Sequence, residues 1–172
     1  MRSYISLFIG ILLTGAVYGQ DSARADAEVE KRAAGWIGSL QLNDTAKEAR
    51  LSKVVSTHLK AVRDWNNTHP YTAVPAGVDP ATGKPLSVMD RQIIANSAKP
   101  GSVHEDLMNG LRKDLNEEQV NAVLDKYTIG KVAFTLAGYK AIVPDLTAQE
   151  EAAILANLQQ AREQAVDFKN TK

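Results

Sequence analysis

The chain has 172 residues, of which 44% are hydrophobic and 23% are charged, which is typical of a single globular domain. Its 20 basic and 20 acidic side chains cancel, so the composition excludes partners that are recognised by net charge, such as nucleic acid, an anionic membrane or an acidic polymer. The absence of cysteine excludes a disulfide framework and a lipid-modified N-terminal cysteine.

The N-terminus has the features of a cleavable signal peptide. Arg2 supplies a positive charge, residues 5–13 form an apolar run, and residues 17–19 form a small-residue cleavage site. The apolar run is shorter than the about 20 residues that a membrane-spanning helix needs. We therefore predict a signal peptide over residues 1–19, export to the periplasm or out of the cell, and no integral membrane segment after cleavage.

Two amphipathic helices are predicted next along the chain. Apolar residues recur at helical spacing between residues 21 and 39. Asn43 or Asp44 can then cap a second helix, whose apolar stripe runs from Leu51 to Trp65. This second helix is the clearest element in the sequence.

A segment rich in proline and glycine follows, at about residues 70–86. It contains four prolines and two glycines, and Asp79 to Gly83 has the composition of a turn. We predict a loop here. Its length is unusual within a compact domain, so it is either a mobile surface insertion or a functional loop.

Capping signals predict the helices of the second half. Their proposed starts are Ser87, Ser102 with Glu105 as a capping box, Leu115 to Gln119, and Thr147 with Glu150 as a capping box. Residues 132–143 are apolar on nearly every face, which predicts a central helix that is the most buried element. The expected fold class is all-α: an irregular multi-helix bundle with one long Pro/Gly-rich loop, forming a single domain over residues 20–172.

Two short segments superficially match known site motifs. Gly77 to Lys84 is similar to a phosphate-binding loop, but Pro85 replaces the hydroxyl residue and no strand precedes it. His104 and Glu105 begin like a helical zinc motif, but Met108 stands where the second histidine belongs. We therefore predict no metal site and no cofactor.

Carboxylate pairs are also present. Glu117 with Glu118, and Glu150 with Glu151, could supply the two acids of a glycosidase. Each pair falls in the first turn of a predicted helix, where it stabilises the helix dipole. The sequence thus indicates no catalytic residues.

The most informative polar feature is a row of residues on the predicted central helix. Lys131, Thr135 and Tyr139 are four apart and share one face. Polar groups on a buried helix need partners or a ligand. With Tyr127 and His104 from preceding segments, they form our predicted ligand-binding residues: His104, Tyr127, Lys131, Thr135 and Tyr139. The alternative is that this face simply contacts solvent.

Two resemblances to known families are carried by the second half of the chain. The helix starts at Leu115 and Leu146 are similar to those of periplasmic Spy-like chaperones, but the similarity extends no further. A broader resemblance is carried by residues 90–94, 102–104, 107–111, 115–119, 125–128, 139–140, 143–147 and 161–165. Together these resemble the family called domain of unknown function 3826, from about Ala33 to the end.

That resemblance implies an exported protein of Bacteroidota, often encoded near polysaccharide-degradation genes, and it implies no reaction. Members usually continue past residues 161–165 into a polar tail, so it also implies that the C-terminal part is truncated at Lys172 relative to the family. The expected function is an exported accessory or binding protein in glycan utilisation, with an oligosaccharide or an envelope protein as partner. The alternatives are a glycan-processing enzyme and a Spy-like periplasmic chaperone.

Overall fold

The protein is an all-α multi-helix bundle, as the sequence predicts. The computed structural model describes the backbone of residues 12–168 and the side chains of residues 22–168. Its helices are α1 Leu12–Gly38, α2 Thr45–Thr68, α3 Val88–Ser97, α4 Ser102–Asp114, α5 Glu117–Thr128, α6 Lys131–Ile142 and α7 Ala148–Ala165. Residues 1–11 of the predicted signal peptide lie outside the described residues. No helix within the described range is long and apolar enough to cross a membrane.

Side-chain caps define where most of the helices begin. Asp44 accepts a hydrogen bond from the Lys47 amide at the start of α2, and Thr147 forms a capping box with Glu150 at the start of α7. The predicted capping box of Ser102 is wrong. The His104 and Glu105 amides both donate to the Gly101 carbonyl, so Gly101 is the N-cap of α4 and Ser102 lies inside the first turn. Glycine has no side chain that could form the capping hydrogen bond.

The hydrophobic core lies between α1, α2, α4 and α5. Its fully buried side chains include Ile37, Leu51, Val55, Leu107, Leu111, Val123 and Leu124. Val166, which follows α7, is also part of this core, so the C-terminal turn is held against the bundle. Gly110 lets α4 approach α2 closely, because a Cβ there would lie 2.7 Å from Val54 Cγ1.

The predicted loop between α2 and α3 is confirmed and is attached to α3. It contains a short 3₁₀ helix, Tyr71–Ala73, and an isolated bridge between Val78 and Pro85. Arg91 on α3 donates to the Val74 carbonyl over 3.0 Å, and its guanidinium lies 5.6 Å from the centre of the Tyr71 ring. These contacts give the first part of the loop a defined position.

The prediction that residues 132–143 form the most buried helix is wrong. Val132 is the buried residue of α6, whereas Phe134, Ile142 and Val143 are exposed. α6 follows a turn in which Ile129 and Gly130 both adopt left-handed backbone conformations, and it packs against α7 and α5. Because these neighbours cover only part of its circumference, much of its apolar surface faces solvent.

Candidate functional site

Four residues from distant parts of the chain meet beside the C-terminal turn. We call them the Asp167 cluster: His58 on α2, Lys99 between α3 and α4, His104 on α4, and Asp167 after α7. Asp167 Oδ1 lies 2.9 Å from His58 Nε2, and Asp167 Oδ2 lies 2.9 Å from His104 Nδ1. Lys99 Nζ donates to the Asp167 backbone carbonyl. One carboxylate therefore connects α2 to α4, and its backbone connects both to the α3–α4 turn.

The hydrogen bonds of the cluster define the tautomers of both rings. An ionised carboxylate only accepts hydrogen bonds, so His58 Nε2 and His104 Nδ1 must each carry a hydrogen. The His58 side chain is 1% exposed, and its Nδ1 has no hydrogen-bond partner among the described residues. His104 is half-buried, and its other nitrogen, Nε2, lies 3.6 Å from Glu163 Oε1.

Burial and nearby charges have opposite effects on the pKa of the Asp167 carboxyl group. Burial raises the pKa of its carboxyl group, but the His58 hydrogen bond and the charges of His104 and Lys99 outweigh that effect and leave the pKa below its ordinary value of 3.8. Burial also lowers the pKa of the Lys99 ammonium, which the Asp167 charge opposes. Asp167 is thus a stable carboxylate at neutral pH.

Two clefts meet at His104, and we call them together the His104 groove. The first has a volume of about 300 Å³, and the second about 510 Å³. His104 and Gln164 belong to both. The first cleft is further lined by Asn96, Ser97, Lys99, Asp167 and Phe168, and the second by Glu117, Asn121, Gln159, Gln160, Arg162 and Glu163.

Arg162 fixes the wall of the second cleft. Its side chain is 4% exposed, and its guanidinium bonds to Asp125 Oδ1 over 2.7 Å and to the Asn121 side chain. These bonds join α7 to α5 and orient the Asn121 amide at the cleft. At the other side, Glu163 Oε2 lies 3.4 Å from Arg112 and Glu163 Oε1 lies 3.6 Å from His104 Nε2.

The predicted site residues are not all close to the groove. His104 lies at its centre, but Tyr127 is a core residue, with its ring 4.8 Å from Trp36 and 5.4 Å from His58. Burial raises the pKa of the Tyr127 phenol, and the Asp167 charge adds to this effect. Tyr127 lines a separate, largely apolar cleft of about 210 Å³ that also includes Phe168.

The three α6 candidates lie elsewhere. Lys131 is exposed and its ammonium lies 5.4 Å from the centre of the Phe134 ring. Thr135 is half-buried, Tyr139 is exposed, and none of the three is among the residues that line the His104 groove. Their role in binding stays a prediction.

Several groove residues gave no signal in the sequence. Lys99 and Asp167, together with His58 of the Asp167 cluster, are far apart in the chain, and only the fold brings them together. The amide side chains at Asn121, Gln159, Gln160 and Gln164 look like ordinary surface residues of helices. Asp167 could have been noticed only as a carboxylate between two apolar positions, Val166 and Phe168, of the C-terminal seam.

The carboxylates considered from sequence lie mostly outside the groove. Glu118 and Glu150 are exposed, Glu151 is half-buried, and none of the three lines the groove, whereas the exposed Glu117 lies at the wall of the second cleft. Within residues 12–168, no group of three or more His, Cys, Asp or Glu residues is arranged to hold a metal ion.

Comparison with known proteins identifies the family. The model of the family described as "Protein of unknown function (DUF3826)" matches residues 26–172, and the chain belongs to that family. A search of curated proteins finds no match.

Proposed function

We propose that this DUF3826 protein binds a glycan fragment in the His104 groove. The observation that carries the proposal is the set of amides along the groove: Asn96, Asn121, Gln159, Gln160 and Gln164. An amide side chain offers both donors and acceptors, as does each sugar hydroxyl, so a row of amides matches a hydroxyl-rich ligand. Phe168 adds an apolar surface at one end, on which a sugar ring can pack.

The charges in the groove favour a neutral glycan over an acidic one. Arg162 is already bound by Asp125 and Asn121, and Lys99 is bound by the Asp167 carbonyl. Glu117 and Glu163 both line the second cleft. A polyuronate would therefore meet like charges without an unoccupied cation opposite them.

We also propose that the protein is exported and that it acts in glycan utilisation. The support for export is the charged, apolar and small-residue order of residues 1–19, and the support for the glycan setting is the family resemblance of the second half of the chain. Such a protein would hold an oligosaccharide outside the cytoplasm, as an accessory to the enzymes that produce or consume it.

Isothermal titration calorimetry tests the binding proposal. We expect saturable binding of a neutral oligosaccharide from a panel of xylo-, manno-, gluco- and arabino-oligosaccharides, and no binding of oligogalacturonate. Gln160→Ala, which removes an exposed amide of the groove, should weaken binding up to about tenfold, since one hydrogen bond contributes about 0.5–1.5 kcal/mol. Gln149→Ala is the matched control, because Gln149 lies on α7 outside the groove and should leave binding unchanged.

The proposal fails if no glycan in the panel binds, or if Gln160→Ala and Gln149→Ala have the same effect. Preferred binding of oligogalacturonate would contradict the charge argument while leaving the groove as the site.

A second candidate function, a Spy-like chaperone, is favoured by the exposed apolar side chains of and around α6. They are Ile129, Phe134, Tyr139, Ile142 and Val143. Exposed apolar surface of this kind is a feature of sites that bind other proteins. The decisive assay is suppression of aggregation of a chemically denatured client protein, and a chain that leaves the aggregation rate unchanged is not a chaperone of this class.

A further inference from the structure

The His104 imidazole has the geometry of a general base. Its Nδ1 donates to Asp167 over 2.9 Å, so in the neutral ring the lone pair is on Nε2. His104 lies where the two clefts of the groove meet, and its side chain is 29% exposed. The nitrogen that can take a proton is therefore the one on the side away from Asp167.

The partner that orients this ring is itself held in place. His58 donates to the second oxygen of the Asp167 carboxylate from within the core, and Lys99 donates to its backbone carbonyl. Val166 beside it is 2% exposed and anchors the turn. Because His58 and Lys99 hold Asp167 in place, Asp167 in turn keeps the His104 ring in one tautomer and one position.

A water molecule can be oriented at Nε2. Glu163 Oε1 lies 3.6 Å from His104 Nε2, a separation that one water can bridge by donating a hydrogen bond to each atom. With both of its hydrogens directed at acceptors, such a water presents a lone pair of its oxygen to a ligand in the groove. The arrangement matches a nucleophilic water beside its general base.

The surrounding groups favour ester hydrolysis over cleavage of a glycosidic bond. Glycosidases need one carboxylic acid that is protonated at working pH, but the interactions of Asp167 hold its pKa low, and Glu163 lies against Arg112. An imidazole general base instead suits acyl transfer, in which the same ring takes and returns one proton.

We propose that His104 is the general base for hydrolysis of an ester substituent, such as an acetyl group, on a glycan bound in the His104 groove. Nε2 takes a proton from water as the water oxygen bonds to the ester carbonyl carbon. The tetrahedral intermediate then breaks its bond to the sugar oxygen, which receives the proton from Nε2. The products are a carboxylic acid and a free sugar hydroxyl. The sugar part of this inference rests on the proposed function, whereas the role of His104 does not.

Steady-state hydrolysis of 4-nitrophenyl acetate and acetate release from acetylated xylo-oligosaccharides test the inference. The protein should turn over both esters many times. His104→Gln should lower the rate at least about 100-fold, since general base catalysis contributes about 10²- to 10⁴-fold. His69→Gln is the matched control, because the His69 ring stacks on Trp65 outside the groove, and it should retain the rate.

Asp167→Asn tests the positioning role of Asp167. It should lower kcat and alter the pH dependence of the rate, and a circular dichroism melt checks that each variant is folded.

Absence of turnover by the unaltered protein, or equal rates for it and a folded His104→Gln variant, overturns the inference. If unacylated oligosaccharides bind but neither ester is hydrolysed, the proposed function stands and this inference fails. If 4-nitrophenyl acetate is hydrolysed through His104 but no oligosaccharide binds or loses acetate, the role of His104 as a base stands and the proposed function fails.

Discussion

Phe134 and Val132 lie on the same helix but differ in what surrounds them. Phe134 is 74% exposed and has the Lys131 ammonium beside its ring, whereas Val132 is 7% exposed. Hydrophobic stabilisation scales with the area removed from water. Phe134→Ala should therefore lower the free energy of unfolding by less than about 1 kcal/mol, whereas Val132→Ala should lower it by about 1–2.5 kcal/mol.

Urea unfolding followed by circular dichroism measures both changes. The two variants control each other, because both truncate an apolar side chain of α6. A larger loss for Phe134→Ala than for Val132→Ala would contradict the exposure of this face and would mean that it is covered in solution.

At the scale of elements, the close contact between α2 and α4 depends on a missing side chain. A Cβ at Gly110 would lie 2.7 and 2.8 Å from the two methyl carbons of Val54, which belong to a short, branched side chain on a helix. Gly110→Ala should lower the free energy of unfolding by about 1–3 kcal/mol, because overpacking outweighs the gain of about 1 kcal/mol in helix propensity.

Gly138→Ala is the matched control for that prediction. Gly138 lies in the interior of α6, and no atom lies within 4 Å of the position that its Cβ would take. This variant should raise the free energy of unfolding by about 0.5–1 kcal/mol. Chemical denaturation of both should thus give changes of opposite sign, and two changes of the same sign would mean that α2 and α4 can separate at little cost.

Some features of the helices can be predicted from sequence and others cannot. The caps at Asp44 and Thr147 are local, because each side chain bonds to an amide three residues on. The prediction of Thr147 is confirmed, and Asp44 is one of the two residues that the sequence offers as the cap of α2. The burial of α6 cannot be predicted in this way, because apolar composition indicates how much surface a helix could bury but not which helices pack against it. The left-handed turn at Ile129 and Gly130, which sets the direction of α6, has no helical periodicity to reveal it.

The whole molecule explains why only part of the candidate site could be predicted. The sequence predicts that His104 joins the polar face of α6 around a cleft, whereas the structure places it beside Asp167. Its partner Asp167 lies 63 residues away in sequence, and the His58 that shares this carboxylate lies 109 residues from it. Contacts at such separations follow from the packing of α2, α4 and the turn after α7, which no local pattern specifies.

Because Asp167 joins those elements, it should make the stability of the whole chain sensitive to acid. The pKa of its carboxyl group is below 3.8 in the folded protein, and in the unfolded chain it returns to about 3.9. A group with a depressed folded pKa stabilises the protein above its unfolded pKa, and this contribution is lost as the pH falls through the folded pKa. The contribution of Asp167 should therefore be complete at pH 7 and at pH 5, and should decline below about pH 4.

Comparison of the unaltered protein with Asp167→Asn at pH 7, 5 and 3 measures this contribution. Asparagine keeps the shape of the side chain but cannot carry the charge that His58, His104 and Lys99 surround, so the variant should be less stable at pH 7. The other carboxyl groups with lowered pKa values, such as Asp26 and Asp114, are present in both proteins, and their effects cancel in the difference. The difference in unfolding free energy should be smaller at pH 3 than at pH 5. A difference that stays constant down to pH 3 would show that the charge of Asp167 does not stabilise the fold, and that its two imidazole partners hold it through neutral hydrogen bonds alone.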